Sequence, residues 1–540
     1  HEGIYYFFEH ADGKHTLVLA DSSSAHSPAP GYEQVPFFPP GQKAPADFER
    51  IDDWRVAQEV RSGAFAHESF DFQVPRKNLL ARSNAPKGHA LAGLEVFDFQ
   101  GDYIETGDGD SYARIRLEER QADYEIAQAI GNARGLTCGG LFTLKDHPRT
   151  DQNRNYLIRS ASYQLQSDDY GSVDAAPAGP AYQCSLTAMD AKTHYRPPRS
   201  APKPIVQGPQ TAIVVGKAGE EIWTDKFGRV KVQFHWDRYG QSDETSSCWV
   251  RVAQVWAGKN WGGMMIPRIG QEVIVDFLEG DPDQPIITGR VYNGDQMPPW
   301  DLPASMTQSG LLTRSTKGGA YATANALRFE DKKGAEQVWL HAEKNQDIEV
   351  ENDETHWIGH DRSKTIDHDE TTHVKHDRTE TVDHNETITI GVDRSEDVGK
   401  NETISIGENR TEDVGKNEAI SIGKNRTTDI GENESRTVAK DETIEIGQHR
   451  KDTISKNVTI EIGEKRQTTV GKDDLLQVGK KFYLEAADEI TLKTGSASLT
   501  LKKDGTIQLK GKDITVTGSG KIGVKASSDL VLKGSKIAEN

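Results

Sequence analysis

The sequence predicts a mainly β protein whose C-terminal half is a repetitive β-helix. Seventeen consecutive octads fill residues 350–485, and their apolar position recurs every eight residues. A coiled coil needs apolar residues about every 3.5 positions and tolerates little glycine, so the octads exclude that fold. Short runs of β-branched and aromatic residues, separated by turn residues, fill residues 205–296 and predict a second, compact β region.

Each octad predicts a short strand followed by a bend. Val or Ile opens every octad, from Val350 to Val478, and Gly follows directly in eleven of them. Asn or Asp fills the fourth place in fourteen. β-Branched residues favour strands, whereas Gly with Asn or Asp favours corners with unusual backbone angles. The repeat therefore predicts a β-solenoid whose first octad position points inward.

The repeat leaves two ways of closing this core open. One octad offers only one or two aliphatic side chains, and their burial alone does not offset the entropy lost when eight residues are ordered. Three octads of one chain could form a triangular turn, or three chains could each supply one face. Charges alternate between neighbouring octads, as in Lys400, Glu408 and Lys416, and predict ladders of opposite charge across stacked strands. The octad at 430–437 breaks this alternation.

The composition of the chain argues against several classes of protein. A net charge of −19 and a sequence pI near 5.4 argue against a nucleic-acid-binding protein, because phosphate contacts need a basic face. No run of eighteen apolar residues is present, so the sequence predicts no membrane helix. Three cysteines, Cys138, Cys184 and Cys248, predict isolated buried thiols instead of a disulfide framework.

Five regions are predicted along the chain, and loops are expected where Pro, Ala, Ser and Gly concentrate, at 22–45 and 171–204. The regions are a base domain at 1–204, a barrel of OB type at 205–296, a connector at 297–345, the octads at 346–485 and a C-terminal β extension of looser period at 486–540. The predicted barrel strands are Thr211–Val215, Arg229–Trp236, Cys248–Val255, Glu272–Phe277 and Ile286–Tyr292. In the extension, the predicted strands are Glu489–Lys493, Ser498–Lys502, Thr506–Lys510 and Asp513–Thr517.

Three motifs resemble one protein family. They are EGIYYFFEHADGKHTLVLAD at residues 2–21, DKFGRVKVQFHWDRYG at 225–240 and PRIGQEVIVDFLEGDPDQPIITGRVYN at 267–293. These segments look like VgrG, the spike protein family of bacterial type VI secretion, and the octads resemble the triple-stranded β-helix needle of contractile-phage tail spikes. The resemblance implies a homotrimer with a phage-hub-like base, an OB-fold barrel and a needle of three chains. It also implies a hub domain that begins before residue 1, and residues 297–345 hold no counterpart of the phage spike's lysozyme domain.

The resemblance also implies partners and a location. The barrel-side base is expected to cap the Hcp tube, and residues 486–540 are expected to form the needle tip and dock a PAAR-repeat protein. Effector proteins and their adaptors are expected as cargo, with transient contact to a target membrane. The protein is expected in the cytoplasm during assembly, and then outside the cell or inside a target cell. The alternative function is a β-helical fibre or adhesin, such as a glycan-binding stalk.

No catalytic, cofactor-binding or metal-binding residue is predicted. Four histidines, His360, His368, His376 and His384, fill the third place of successive octads, with His356 and His373 nearby. A metal or pH-sensing role is one interpretation of this group, but the same column holds Lys400 and Glu408 further along, which indicates an exposed polar column. The remaining candidates are predicted to be structural: His235 on a barrel strand, ordinary turns at Asp108–Asp110 and Asp281–Asp283, and Trp249, Trp256 and Trp261 filling the barrel and its trimer contacts.

Overall fold

The computed structural model describes residues 1–42, 44–45, 47–167 and 181–539. The chain divides into two units, His1–Asp369 and Glu370–Asn540. Strands make up 26% of the described residues and helices 5%, so the mainly β class is confirmed. The predicted boundaries of the five regions stay a prediction, because this division falls within the octads.

Within the described residues there is one α-helix, α1 (Thr106–Gln121), and 24 strands. The strands before the barrel are β1 (Tyr5–Ala11), β2 (Lys14–Ala20), β3 (Gln34–Pro36), β4 (Ile51–Gln58), β5 (Ala64–Glu68), β6 (Ala81–Asn84), β7 (Glu95–Phe99), β8 (Glu125–Gly131), β9 (Leu141–Lys145), β10 (Asn155–Leu165) and β11 (Tyr182–Asp190). Those of the barrel and its hairpin are β12 (Gln210–Val215), β13 (Lys231–Phe234), β14 (Arg251–Val252), β15 (Trp256–Ala257), β16 (Gly262–Gly263), β17 (Glu272–Phe277) and β18 (Pro285–Val291). The remaining strands are β19 (Gln308–Leu312), β20 (Ala326–Glu330), β21 (Gln337–His341), β22 (Glu489–Thr494), β23 (Ala497–Lys502) and β24 (Ile507–Lys510).

The base is built on a six-stranded sheet in the order β3-β9-β10-β11-β8-β4. Alternate residues of these strands point to one face and bury an apolar core that includes Ile51, Phe142, Tyr156 and Ile158. Cys184 lies in this core, as predicted, whereas Cys138 and Cys248 are exposed, so the prediction of a buried thiol is wrong for those two. All three cysteines are free.

A smaller sheet in the order β6-β5-β7 carries helix α1. Ala113 and Leu117 of the helix pack against Phe65 and Leu79 of the sheet region. Asp108 lies in the first helical turn, where a carboxylate is favoured by the helix dipole. The turn predicted at Asp108–Asp110 is therefore wrong, because these residues begin a helix. The other acidic site, Asp281–Asp283, is a turn as predicted, with the Gln284 amide donating to the Asp281 carbonyl.

The barrel is a five-stranded sheet in the order β13-β12-β17-β18-β14, closed by a bridge between Val230 and Val250. The backbone amide of each valine donates to the carbonyl of the other, at 3.0 and 2.8 Å. Aliphatic side chains fill the interior, with Val214, Val232 and Val273 fully buried. Glu272–Phe277 is confirmed as a strand with the predicted bounds, whereas only Arg251–Val252 of the predicted Cys248–Val255 is paired as a strand.

Ionic and aromatic contacts connect the base to the barrel. Lys203 Nζ donates to carboxylate oxygens of Asp102, at 3.0 Å, and of Asp281, at 2.6 Å. The ring of Phe72 stacks edge-on against that of Phe227 in the barrel, with centroids 5.4 Å apart. These contacts all lie within the first unit. An ionic contact and an aromatic contact therefore hold the base and the barrel together.

Two three-stranded antiparallel sheets, β19-β20-β21 and β22-β23-β24, lie before and after the octads in sequence. Three of the four strands predicted after residue 486 are present, and Asp513–Thr517 is not a strand. None of the described residues forms a helix that is long and apolar enough to cross a membrane.

Candidate functional site

The octads form an extended surface, and their backbone has no strand pairing inside the chain. No strand is assigned between β21 and β22, a stretch in which every residue is described. A bend recurs at the second and third position of every octad, first at residues 351–352 and last at 479–480, where the Gly-rich positions predicted a corner. Extended backbone of this kind presents its N–H and C=O groups to whatever lies alongside.

The apolar column of the octads is uniform and uncovered. Every residue from 343 to 489 is exposed. The exposed fraction of the first-position side chains stays between 42% at Ile366 and 56% at Ile454, which shows the same local conformation in all octads. A second aliphatic position, two residues before the next octad, is as open, with Ile404 at 61%. An apolar row of this length is an interaction surface, because isolated strands in water are not stable.

Charged residues of the octads form ion pairs along one extended segment of the chain. Three Arg–Glu ion pairs join the fifth and seventh positions of alternate octads: Arg378–Glu380 at 2.6 Å, Arg394–Glu396 at 2.8 Å and Arg410–Glu412 at 2.9 Å. In the irregular octad, Arg436 instead reaches Glu442 of the next octad, at 2.9 Å. These exposed pairs contribute little energy each, and each lies along one extended segment of the chain. The ladders of opposite charge across stacked strands stay a prediction.

The histidine column is an exposed polar surface. His360, His368 and His376 each pair through Nδ1 with the carboxylate of the following aspartate, at 2.8–2.9 Å. Each of these side chains is 91% exposed. Among the described residues, no group of three or more His, Cys, Asp or Glu side chains is placed to hold a metal ion. His235 is likewise exposed, just past the end of β13, and its ring shares a hydrogen bond of 3.0 Å with the Thr211 hydroxyl.

Two predicted barrel tryptophans project from the barrel. Trp256 and Trp261 lie on the β15–β16 hairpin with exposed fractions of 65% and 58%, and their rings stack edge-on at 5.0 Å. The interior holds only aliphatic and phenylalanine side chains, so the prediction that these tryptophans fill it is wrong. Trp249 is half-buried beneath Lys231 Nζ, which lies 5.3 Å from its ring. A role of the hairpin in trimer contacts stays a prediction.

The sheet β19–β21, which precedes the octads in sequence, carries an exposed apolar face. In β19–β21, pairing places Leu311, Leu327 and Leu340 in one row and Phe329 with Val338 in the next, all on one face. Leu340 and Val338 are 60% and 68% exposed. The sequence pattern of the connector did not predict this sheet, since its strands are only five residues long and separated by Gly-rich segments.

Three family matches cover most of the chain. Residues 1–169 match the phage tail baseplate hub (GPD), and residues 211–292 match the type VI secretion system/phage-baseplate injector OB domain. Residues 309–422 and 417–493 match the bacteriophage T4 gp5 C-terminal trimerisation domain. The octads and all of the sheet β19–β21 except Gln308 fall within the residues that match this trimerisation domain.

Individual relatives share one name. The type VI secretion system spike protein VgrG1b of Pseudomonas aeruginosa is 55% identical over 365 residues, which cover 68% of this chain and 49% of the relative. The chain belongs to the VgrG family of type VI secretion spike proteins. VgrG3 of Vibrio cholerae is 38% identical over 370 residues, covering 68% of this chain and 35% of the relative. The matched part is thus half or less of the length of these VgrG proteins.

Among solved structures, the E. coli c3393 protein is described as a type VI secretion component with structural similarity to the T4 tail proteins gp27 and gp5. It covers 54% of this chain and 57% of its own, with 19% identity and a TM-score of 0.32. The predicted fold class, a phage-hub-like base, an OB-fold barrel and a needle of triple-stranded β-helix type, is confirmed by the three family matches and the observed sheets. The VgrG relatives are named as spike proteins, which is a structural role.

Proposed function

We propose that the chain acts as a homotrimeric spike that caps the Hcp tube, punctures target membranes and delivers effectors. The observation that carries this proposal is the stretch from 343 to 489, in which every residue is exposed and no strand finds a partner in its own chain before β22. Unpaired backbone and an uncovered apolar column are stabilised only by neighbouring strands, and the match to a trimerisation domain indicates two further copies as their source. The single-chain triangular turn has no support here.

The two ends of the chain have different roles in this proposal. The base matches a phage baseplate hub, which supports its docking on the Hcp tube. Residues 486–540 follow the octads and are proposed as the tip, where strands leave backbone groups unpaired and so offer a template for a capping PAAR-repeat protein. Effectors and their adaptors are proposed as cargo of this tip. Assembly is proposed to take place in the cytoplasm, followed by export towards the target cell.

Light scattering tests the trimer. The purified protein is expected to have a native mass of three times 59.7 kDa. A stable monomer at micromolar concentration contradicts the proposal, since one chain leaves its octads uncovered.

Truncation tests the assignment of the tip. A chain that ends at Gly479 keeps the barrel and nearly all octads, so it is expected to stay trimeric but to lose co-purification of the PAAR protein and secretion. If the truncated spike retains the PAAR protein as well as the full chain does, the tip lies elsewhere. A glycan array on the same preparation separates a spike from a glycan-binding fibre.

A further inference from the structure

The sheet β22–β24, beyond the octads, has one fully aliphatic face. Its register places Ile490, Leu501 and Ile507 in one row across the three strands. Leu492, Leu499 and Leu509 form the next row, two residues along each strand and hence on the same face. The opposite face carries polar side chains, among them the paired residues Thr491, Thr500 and Gln508.

Much of this aliphatic face is exposed in the described part of the second unit, and Ile490, Leu499 and Leu501 are half-buried. Leu492, Ile507 and Leu509 are 57%, 70% and 55% exposed. None of the six aliphatic residues belongs to a buried apolar cluster of the described part of the chain. A three-stranded sheet needs its apolar face packed against another layer to be stable in water.

We infer that the same face of two other copies of the chain covers it, so that three sheets enclose one apolar core. This inference rests on the proposed trimer and assigns a specific interface to residues 489–510. The three sheets join through side-chain packing, whereas the octads join through backbone pairing. The backbone of each sheet is already paired within its own chain across β22, β23 and β24.

Continuity along the chain supports a second copy as the occupant. The octads end directly before β22, and after β24 the bends return with near-octad spacing at residues 519–520, 527–528 and 535. On both sides of the sheet in sequence, the backbone is extended and has no strand partner in its own chain. Chains that pair on both sides hold the three sheets within reach of each other.

The first sheet of the same design supports the same occupant. The faces of β19–β21 and β22–β24 both carry an apolar row across three antiparallel strands, and the next row of β19–β21 is apolar in two of its three strands, with Ser309 in the third. Residues 309–422, which hold all of β19–β21 except Gln308, match the trimerisation domain, whereas its second matched range ends at residue 493 and leaves most of the second sheet outside it. The second sheet is therefore assigned by its own geometry.

The sheet β22–β24 aligns the three chains in one register, which the octads alone do not do. Seventeen near-identical repeats can pair out of step by one repeat with little change in contacts, because weakly specified strands permit register slips. Residues 489–510 do not repeat, so their three faces fit in one alignment only. The core of three sheets thus sets which octads lie side by side.

Two neighbouring residues of β24 provide a matched test in the full-length protein. Leu509→Glu places a charge in the inferred core, whereas Gln508→Glu adds the same residue and the same charge to the opposite face of the same strand. Hydrogen exchange of residues 489–510 is expected to speed up by at least about tenfold in Leu509→Glu and to stay near the wild-type rate in Gln508→Glu. Mixed, two-population exchange is expected in residues 470–485 of Leu509→Glu only, because slipped chains leave terminal octads unpaired.

The outcomes separate this inference from the trimer itself. A wild-type trimer in which both variants exchange alike, fast or slow, overturns the shared core and leaves the proposed spike intact. A monomeric wild-type protein overturns both. Should Leu509→Glu not assemble, Leu509→Ala against Gln508→Ala makes the same comparison without charge, and equal exchange in that pair also overturns the inference.

Discussion

The guanidinium carbon of Arg251, in the barrel, lies 4.8 Å from the ring centroid of Phe72, in the base. Arg229 lies over the same ring at 5.2 Å, so one half-buried aromatic side chain is held by two cations and by the edge of Phe227. Cation–π contacts of this kind contribute about 0.5–2 kcal/mol each, more where water is excluded. Phe72 is therefore one of the residues that hold the base to the barrel.

Removing this ring is expected to loosen the base from the barrel. Phe72→Ala should lower the free energy of unfolding by about 1–3 kcal/mol, from lost burial and lost cation–π contacts. In a double-mutant cycle with Arg251→Gln, thermal denaturation should report a coupling of about 0.5–1 kcal/mol. The control is Arg238→Gln, an exposed arginine elsewhere on the barrel, and an equal coupling there would contradict the assignment.

Asp281 is expected to make base–barrel stability depend on pH. Burial alone would raise the pKa of this carboxyl group, but hydrogen bonds from Lys203 Nζ and the Asp283 amide outweigh it and lower the pKa. A lowered folded-state pKa stabilises the fold above the unfolded value of about 3.9, and this contribution is lost as the pH falls through the folded value. The same bond raises the pKa of Lys203, whose contribution is present below about pH 10.4 and is lost as the pH rises through the folded value.

Asp281→Asn tests this dependence. At pH 7 it should destabilise the protein by about 1–3 kcal/mol, because a buried charged hydrogen bond is lost. The difference in melting temperature from wild type should begin to shrink below about pH 3.9, where the carboxyl group of the unfolded chain takes up a proton, and should vanish as the pH falls through the lowered folded-state pKa. Lys203→Met should cost less, about 0–1 kcal/mol, since the lysine side chain is half exposed. A difference that is the same at pH 7 and pH 3 would rule out the ionised carboxylate as the cause.

The first octad position is expected to face the interior of the trimer. Ile422→Asp introduces three charges near the axis of a trimer, and an unpaired buried charge costs several kcal/mol. Loss of the trimer or of its resistance to heat is expected, measured by light scattering during heating. Lys424→Ala, two residues away, should change little, and equal effects of the two substitutions would show that the face is assigned wrongly.

The histidine group is expected to be dispensable for assembly. Replacing all six histidines, His356, His360, His368, His373, His376 and His384, by Gln should leave the melting temperature of the trimer nearly unchanged at neutral pH. The reason is that the paired members are exposed, and exposed pairs contribute about 0–1 kcal/mol. Elemental analysis is the second measurement, and stoichiometric metal that disappears on replacement would overturn this prediction.

The sequence predicted the barrel well because its strands alternate cleanly. Glu272–Phe277 was predicted with its observed bounds, and Gln210–Val215 to within one residue. The predicted strand Cys248–Val255 was too long, because its chain pairs with β18 over only two residues and then turns into the projecting Trp256–Trp261 hairpin. The strand propensity of a segment does not show where that segment stops pairing with the next strand of the sheet.

The base was predicted less well, for two physical reasons. Helix α1 contains Gly107 and Gly109 and buries Arg116 and Gln121 beside its apolar residues, so its hydrophobic period is weak. Strand Tyr182–Asp190 lies within the Pro-, Ala-, Ser- and Gly-rich stretch 171–204, which predicted a loop. Residues 171–180 of that stretch lie outside the described residues.

The prediction that the chain has no catalytic or ligand-binding residue stays untested. The octads show which properties can be predicted from the sequence. A period of eight fixes where the chain bends and which side chains share a face, and both are local properties of one chain. Which strand lies beside which is not local, and Leu509 illustrates the difference. The aliphatic face of Leu509 follows from the pairing of three strands, which places this residue beside Leu499 and Leu492.

The bend at the same two positions of every octad also determines which changes of length keep the repeat in phase. An insertion of eight residues keeps every later bend and every later apolar residue in place relative to its neighbours, whereas a four-residue insertion displaces every later valine and isoleucine from its column. The repeat is therefore modular, and its length can change in steps of eight residues.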